Sequence, residues 1–223
     1  MSALERAGWI AGAIASAALI YASWRHEISS DLVEVLGFVA GGACVWLAVR
    51  ENIWNWPIGI ANNVFYVIVF LQARLFADMS LQLAFAALGF YGWYMWLFGG
   101  EARTEEHVSR TPFRVWIALG AGCVAATWGG SIYLTTANDA APFLDALITA
   151  MSLAAQYMMT RKYLENWYVW ITVDVISIGL YAFKHLELTA VLYTIYLGMC
   201  VAGVSQWRRS MISHQAGLQP AHA

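Results

Sequence analysis

Two stretches, RENIWNWPIGIANN at residues 50–63 and RKYLENWYVWITVD at residues 161–174, decide how this chain folds. Each starts on an arginine, reaches an Asn-Trp pair at Asn55-Trp56 or Asn166-Trp167, and continues into apolar residues. They lie 111 residues apart, the separation of Arg50 from Arg161. Extended outward, the same offset superimposes 31–96 on 142–207 without a gap, so that Leu75 meets Leu186, Leu81 meets Leu192, Gly92 meets Gly203 and Trp96 meets Trp207. Glu34 faces Asp145, an acid in each copy. Apolar segments match one another easily, but ungapped agreement at Arg, Asn, Trp and turn residues is much harder to reach by accident. The chain reads as a duplication.

The composition says what kind of molecule was duplicated. The 223 residues are 61% hydrophobic and 12% charged, with a mean hydropathy of +0.58. Soluble domains carry about 25% charged residues, so half that charge points to a lipid-facing surface. A net charge of -2 excludes a basic nucleic-acid-binding face. Cys44, Cys123 and Cys200 each sit inside an apolar run with no CxxC or Cys/His spacing, so they read as small buried residues rather than disulfide or zinc ligands.

Crossing a 30 Å hydrocarbon layer takes roughly 20 helical residues. Eight such spans are expected, at residues 7–24, 32–49, 54–73, 79–98, 115–134, 143–160, 167–184 and 188–207. They must be helices, because lipid offers the backbone no hydrogen bonds. Assigning Lys and Arg to alternating sides places nine on one side and three on the other, which puts both termini in the cytoplasm. The first span, with Ala15-Ser16-Ala17, also has features of a signal peptide. Residues 99–114 read as a solvated loop and 210–223 as a frayed tail. Trp9, Trp24, Trp54, Trp56, Trp96 and Trp207, near span ends, read mostly as interfacial anchors.

Each copy holds three spans, and one span separates the copies, so the second copy enters the membrane in the same direction as the first. The expected fold is an all-α integral membrane protein with a 3+1+3 parallel triple-helix repeat, preceded by one extra transmembrane helix. Its parts are a peripheral N-terminal helix (1–28), a first repeat (31–98), a loop and linking helix (99–141), a second repeat (142–209) and a cytoplasmic tail (210–223). Transporters of this kind bind substrate near the bilayer midplane between repeats.

An asymmetric ligand needs positions where the copies differ. Trp167, Trp170 and Asp174 share one face of the seventh span, and their counterparts are Trp56, Gly59 and Asn63. The exchange of Trp170 for Gly59 leaves room for a flat ligand. Asp174 is the sharpest feature, because a carboxylate at mid-depth costs roughly 2.5–3.5 kcal/mol on insertion scales and no Lys or Arg lies at that depth in any span. A cationic ligand fits this vacancy, with cation–π attraction from the indoles of about 0.5–2 kcal/mol. Asn62, Asn63 and Tyr66 on the third span, Gln82 on the fourth and Tyr193 on the eighth supply donors and acceptors at similar depth.

These residues, with Asn55-Trp56-Pro57-Ile58-Gly59, Leu75-Phe76-Ala77-Asp78, Leu81-Gln82, Tyr91-Gly92-Trp93, Trp96, Leu188-Thr189-Ala190 and Leu192-Tyr193, resemble the Pnu family of vitamin transporters over about residues 32–208. The pattern Trp167-x-x-Trp170-x-x-x-Asp174 resembles that family's substrate motif, which ends in Asn or Asp. The resemblance implies a fold like that of the SWEET sugar transporters and a homotrimer in the bacterial inner membrane. It also implies facilitated diffusion of a vitamin that a cytoplasmic kinase then traps by phosphorylation. Nicotinamide riboside is the expected substrate. Thiamine, the other cation among the family's substrates, and neutral riboflavin are alternatives, and a sugar uniporter is a further one. No metal- or cofactor-binding motif is present, and the five histidines lie at span ends, loops or the tail without HExxH, nucleophile elbow or phosphate loop, so an enzyme is not expected.

Overall fold

The computed structural model describes the backbone of residues 32–72, 74–185 and 187–218. The expected span at 7–24, its signal-peptide features, Trp9, Trp24, the Glu34 side chain and residues 219–223 lie outside what is described. The chain divides between Ala43 and Cys44 into two units, and every contact given below belongs to the second.

Seven α-helices are described: α1 Leu32–Val49, α2 Asn55–Gln72, α3 Phe76–Phe98, α4 Phe113–Thr136, α5 Pro142–Thr160, α6 Asn166–Phe183 and α7 Glu187–Leu218. Among the described residues there is no strand, only a parallel bridge between Ser109 and Tyr163. Three stretches, Asp78–Phe98, Phe113–Thr136 and Thr189–Ala216, are long and apolar enough to cross a membrane. Helices α1, α2 and α6 have 18 residues each, or about 27 Å of rise, slightly less than the hydrocarbon thickness. The last helix runs eleven residues past the expected boundary, to Leu218. Trp207, Met211 and His214 recur on one face there, with Trp207 and Met211 buried, so packing rather than apolarity carries the helix on.

The offset of 111 recurs in the local geometry. After α1, Glu51 takes φ 52°, its N–H bonds to Ala48 O and the Asn52 N–H bonds to Leu47 O. After α5, Lys162 takes φ 46°, its N–H bonds to Met159 O and the Tyr163 N–H bonds to Met158 O. Both are Schellman caps closed by a non-glycine residue in the left-handed region, a strained choice of about 1–2 kcal/mol. Arg74 and His185, again 111 apart, both have φ 58°. The next helix starts the same way in each copy: Asn55 Nδ2 donates to Asn52 O, and Asn166 Nδ2 donates to Tyr163 O.

Helix α2 packs on α3, α6 on α7, α4 on α5, α5 on α6, and α3 on α5. Small residues bring α4 and α5 together: Ala146, Ala150 and Ala154 repeat every fourth residue, and Gly130 and Thr127 face that region, with Cys123 Sγ donating to Ala150 O at 3.5 Å. Four indoles form the centre of the core. Trp56 meets Trp96 edge-on at 5.3 Å, Trp96 meets Trp207 at 5.9 Å, and Trp207 meets Trp167 at 5.3 Å. Trp96 Nε1 donates to Met159 O and Trp207 Nε1 to Ala48 O, both at 3.0 Å, so each copy's last tryptophan bonds the first helix of the other.

This corrects the expectation of interfacial anchors. Trp56, Trp96 and Trp207 are 2%, 3% and 0% exposed: the indole N–H groups of Trp96 and Trp207 find backbone partners inside the core, and Trp56, whose Nε1 has none among the described residues, is held there by its edge-on contact with Trp96; Trp54, at 62%, remains on the surface. The 99–114 loop is also not merely solvated. Glu106, Val108 and Thr111 are buried, since Ser109 pairs with the α5–α6 turn (Ser109 N to Lys162 O, Leu164 N to Ser109 O) and Glu165 accepts from Arg110 Nη1, Thr111 N and Thr111 Oγ1, each at 2.8 Å.

Candidate substrate site

Helix α6 carries Trp170, Asp174, Ser177 and Tyr181 at spacings of four, three and four residues, which align them along one face. Helix α7 presents Tyr193, Tyr196 and Cys200 in the same manner. The two stripes meet. Tyr181 stacks on Tyr193 at 5.2 Å, Tyr193 meets Tyr196 at 5.9 Å, and Cys200 Sγ donates to Asp174 Oδ2 at 3.3 Å.

Asp174 is 2% exposed. Among the described residues no Lys or Arg pairs with it; its hydrogen-bond donor is a thiol, one of the weakest in proteins. Tyr193 and Tyr196 lie within electrostatic reach of its carboxylate. Tyr196 has Cys44 and Tyr66 as further neighbours, which links α6 and α7 to the first copy. A Cβ added at Gly59 would lie 3.7 Å from Cys44 Sγ, ordinary contact, so the position opposite Trp170 in the repeat has little spare width beyond a methyl on that side.

Of the residues expected at the site, the structure therefore gathers Asp174, Tyr193 and Tyr66 around Tyr196. Trp170 is half-buried against the tryptophan core, and its Nε1 has no hydrogen-bond partner among the described residues. Trp167 is fully buried within that core, against Trp207 and Gly203, and takes part in packing. Asn62, Asn63 and Gln82 are half-buried on α2 and α3, and no side-chain hydrogen bond ties them to Asp174 among the described residues. A separate cleft of about 300 Å³, lined by Arg114, Val115, Ala118, Leu119 and Tyr157, contains none of these groups. No three His, Cys, Asp or Glu among the described residues gather closely enough to hold a metal.

Sequence reading missed Cys200, Tyr196, Ser177 and Tyr181. The signal is present in the i, i+3, i+7 spacing of Tyr193, Tyr196 and Cys200, which sets the thiol on the face of the two phenols without any disulfide or metal pattern.

A second polar cluster lies where the α1–α2 and α5–α6 turns meet the 99–112 loop. Lys162 Nζ sits 3.2 Å from Glu51 Oε2, its counterpart in the repeat, and 4.6 Å above the Trp96 ring. Arg161 lies 3.7 Å from Glu106. Burial pushes the Glu106 carboxyl above its ordinary range, only partly opposed by Arg161 and Lys162. At Glu165 burial also works against the charge, but the bonds from Arg110 and Thr111 outweigh it and hold that carboxyl below the ordinary range.

Comparison with known proteins gives a consistent picture. The sequence profile of the nicotinamide mononucleotide transporter family matches residues 31–209. Over 209 residues the chain is 28% identical to the nicotinamide riboside transporter PnuC of Escherichia coli, an alignment covering 80% of this chain and 85% of that protein. The transporter of the same name from Neisseria mucosa is 29% identical over 188 residues, 79% of this chain and 72% of the relative. The riboflavin/roseoflavin transporter RibM of Streptomyces davaonensis is 27% identical over 189 residues, 82% and 86% of the two chains. A crystal structure of the vitamin B3 transporter PnuC superimposes with a TM-score of 0.65 at 26% identity, covering 91% of this chain and 92% of that one.

Proposed function

The chain belongs to the nicotinamide mononucleotide transporter family, and from that premise we propose that it carries nicotinamide riboside across the bacterial inner membrane by facilitated diffusion. The observation that carries the choice of ligand is Asp174, buried on α6 with a thiol as its hydrogen-bond donor and no basic partner among the described residues. A carboxylate so placed is expensive until a cation or a proton reaches it. The pyridinium of nicotinamide riboside supplies the cation, and the phenols of Tyr193 and Tyr196 lie within electrostatic reach of the same carboxylate. Trp170, Asp174, Tyr66 and Tyr193 form the centre of the proposed site; Asn62, Asn63 and Gln82 supply its polar wall from the first copy, and Trp167 holds α6 in register behind it.

The proposed architecture is the 3+1+3 parallel repeat, with residues 31–98 and 142–209 as the two triple-helix units and 99–141 as loop and linking helix. Support comes from paired features 111 residues apart: the caps at Glu51 and Lys162, and the crossed bonds of Trp96 and Trp207. Both termini face the cytoplasm, three chains assemble, and a cytoplasmic kinase consumes the arriving vitamin, so the gradient is maintained without ion coupling.

Similarity to a riboflavin transporter favours a second reading, in which neutral riboflavin is the cargo. Titrating purified protein with nicotinamide riboside, thiamine and riboflavin side by side separates the two. Tight binding of nicotinamide riboside with weak riboflavin binding supports the proposal; the reverse order overturns it.

A further inference from the structure

Hydroxyls inside helices usually bond back to the carbonyl one turn earlier. Several do so in this chain: Ser80 to Phe76, Thr135 to Ser131, Thr172 to Tyr168, Thr194 to Ala190 and Ser205 to Val201. Ser177 does not. It is 0% exposed, and its Oγ has no hydrogen-bond partner among the described residues. A buried hydroxyl left in this state is destabilising, so a group that restores its bond is energetically favoured at that point.

Thr127 is unpartnered in the same way, but it lies in the close α4–α5 contact among Gly130, Ala146 and Ala150. Ser177 instead stands on the stripe of α6 that carries Asp174, three residues further on, or about 4.5 Å along the axis. The stripe ends at Tyr181, which is stacked on Tyr193. The counterpart of Ser177 in the first copy is Tyr66, so the repeat places a short hydroxyl on one side where it places a phenol on the other.

We infer that Ser177 is a specificity-determining residue whose hydroxyl bonds a sugar hydroxyl of the transported glycoside. This rests on the proposed function. In nicotinamide riboside the ribose is attached at the charged ring nitrogen. With that charge at Asp174, the sugar hydroxyls fall within one helical turn, where Ser177 can both donate to and accept from a group that also does both. The residue thereby distinguishes a riboside from a bare cationic ring, which Asp174 and Trp170 alone do not.

The test compares wild type and Ser177→Ala in purified, full-length protein. Nicotinamide riboside is titrated directly, and 1-methylnicotinamide, which keeps the charged ring and carboxamide but has no sugar, is measured as its competitor. Ser177→Ala is expected to weaken nicotinamide riboside roughly fivefold and to leave 1-methylnicotinamide unchanged. The unliganded variant is expected to melt at the wild-type temperature or above, since the orphaned hydroxyl is gone. Unchanged affinity for the riboside overturns the inference, as does an equal loss for both ligands or a lowered melting temperature without ligand. Failure of wild type to bind nicotinamide riboside is a different result, and it overturns the proposed function itself.

Discussion

Replacing Gly203 by alanine tests the indole core that fixes α6, and with it Asp174. A Cβ at Gly203 would lie 2.5 Å from two ring carbons of Trp167 and 2.7 Å from a third, against an ordinary contact of 3.4 Å or more. The ring has no room to retreat, because Trp167 is fully buried and meets Trp207 edge-on at 5.3 Å. Overpacking of this kind costs about 1–3 kcal/mol, and a three-atom conflict with a rigid ring belongs at the upper end. Removing a glycine from a helix interior returns about 1 kcal/mol. The net loss is about 2 kcal/mol, or roughly 4–8 °C for a chain of this size. Gly198 on the same helix supplies the control, as nothing lies within 4 Å of an added Cβ there, so Gly198→Ala gains up to about 1 kcal/mol. The two variants thus differ in sign. Thermal unfolding in detergent, followed by tryptophan fluorescence, reads both. Gly92→Ala, whose Cβ would run into the Trp56 ring, is expected to behave like Gly203→Ala. A Gly203→Ala protein as stable as Gly198→Ala would refute the packing argument.

Three further outcomes are expected. Glu51→Lys, which sets two ammonium groups against each other, lowers stability by roughly 1.5–3 kcal/mol, and Glu51→Lys/Lys162→Glu restores most of it, short of the Lys162 contact with Trp96; a double variant no better than the sum of the singles contradicts the pairing. The depressed Glu165 carboxyl contributes stability that is complete above its ordinary value of 4.5 and disappears as pH falls through its lower folded-state value. Stability measured from pH 7 to 3.5 is therefore expected to drop in wild type below about 4.5 and to drop less in Glu165→Gln. Uptake into kinase-free vesicles is expected to stop at equal concentrations inside and out, and accumulation abolished by collapsing a proton or sodium gradient contradicts facilitated diffusion.

Helix positions were legible because apolar runs must be continuous: α1 occupies the expected span, and α2, α4, α5 and α6 end within two residues of theirs. What composition did not show was which groups meet. Trp56, Trp96 and Trp207 sit near the ends of the expected spans, where a lipid-facing belt and a layer interlocking two copies look alike in sequence. For Trp96 and Trp207 the difference lies in the carbonyls of Met159 and Ala48, supplied by the opposite copy, and for Trp56 in the ring of Trp96. The 99–114 loop has polar composition, yet Glu106 and Val108 turn inward because Ser109 pairs with Lys162 and Leu164, more than fifty residues away. At the site, the burial of Asp174 was readable from its depth in an apolar run. Its bond to Cys200 was not, because it depends on the relative rotation of α6 and α7.

If the buried carboxylate reads the positive charge of the cargo, Asp174→Asn abolishes that reading, since the amide keeps the shape and one acceptor oxygen while removing the charge. Calorimetric titration of nicotinamide riboside into correctly assembled wild type and variant is expected to show affinity reduced tenfold or more, about 1.4 kcal/mol or greater, with melting temperature equal or higher. Equal affinity in the two proteins would contradict the account.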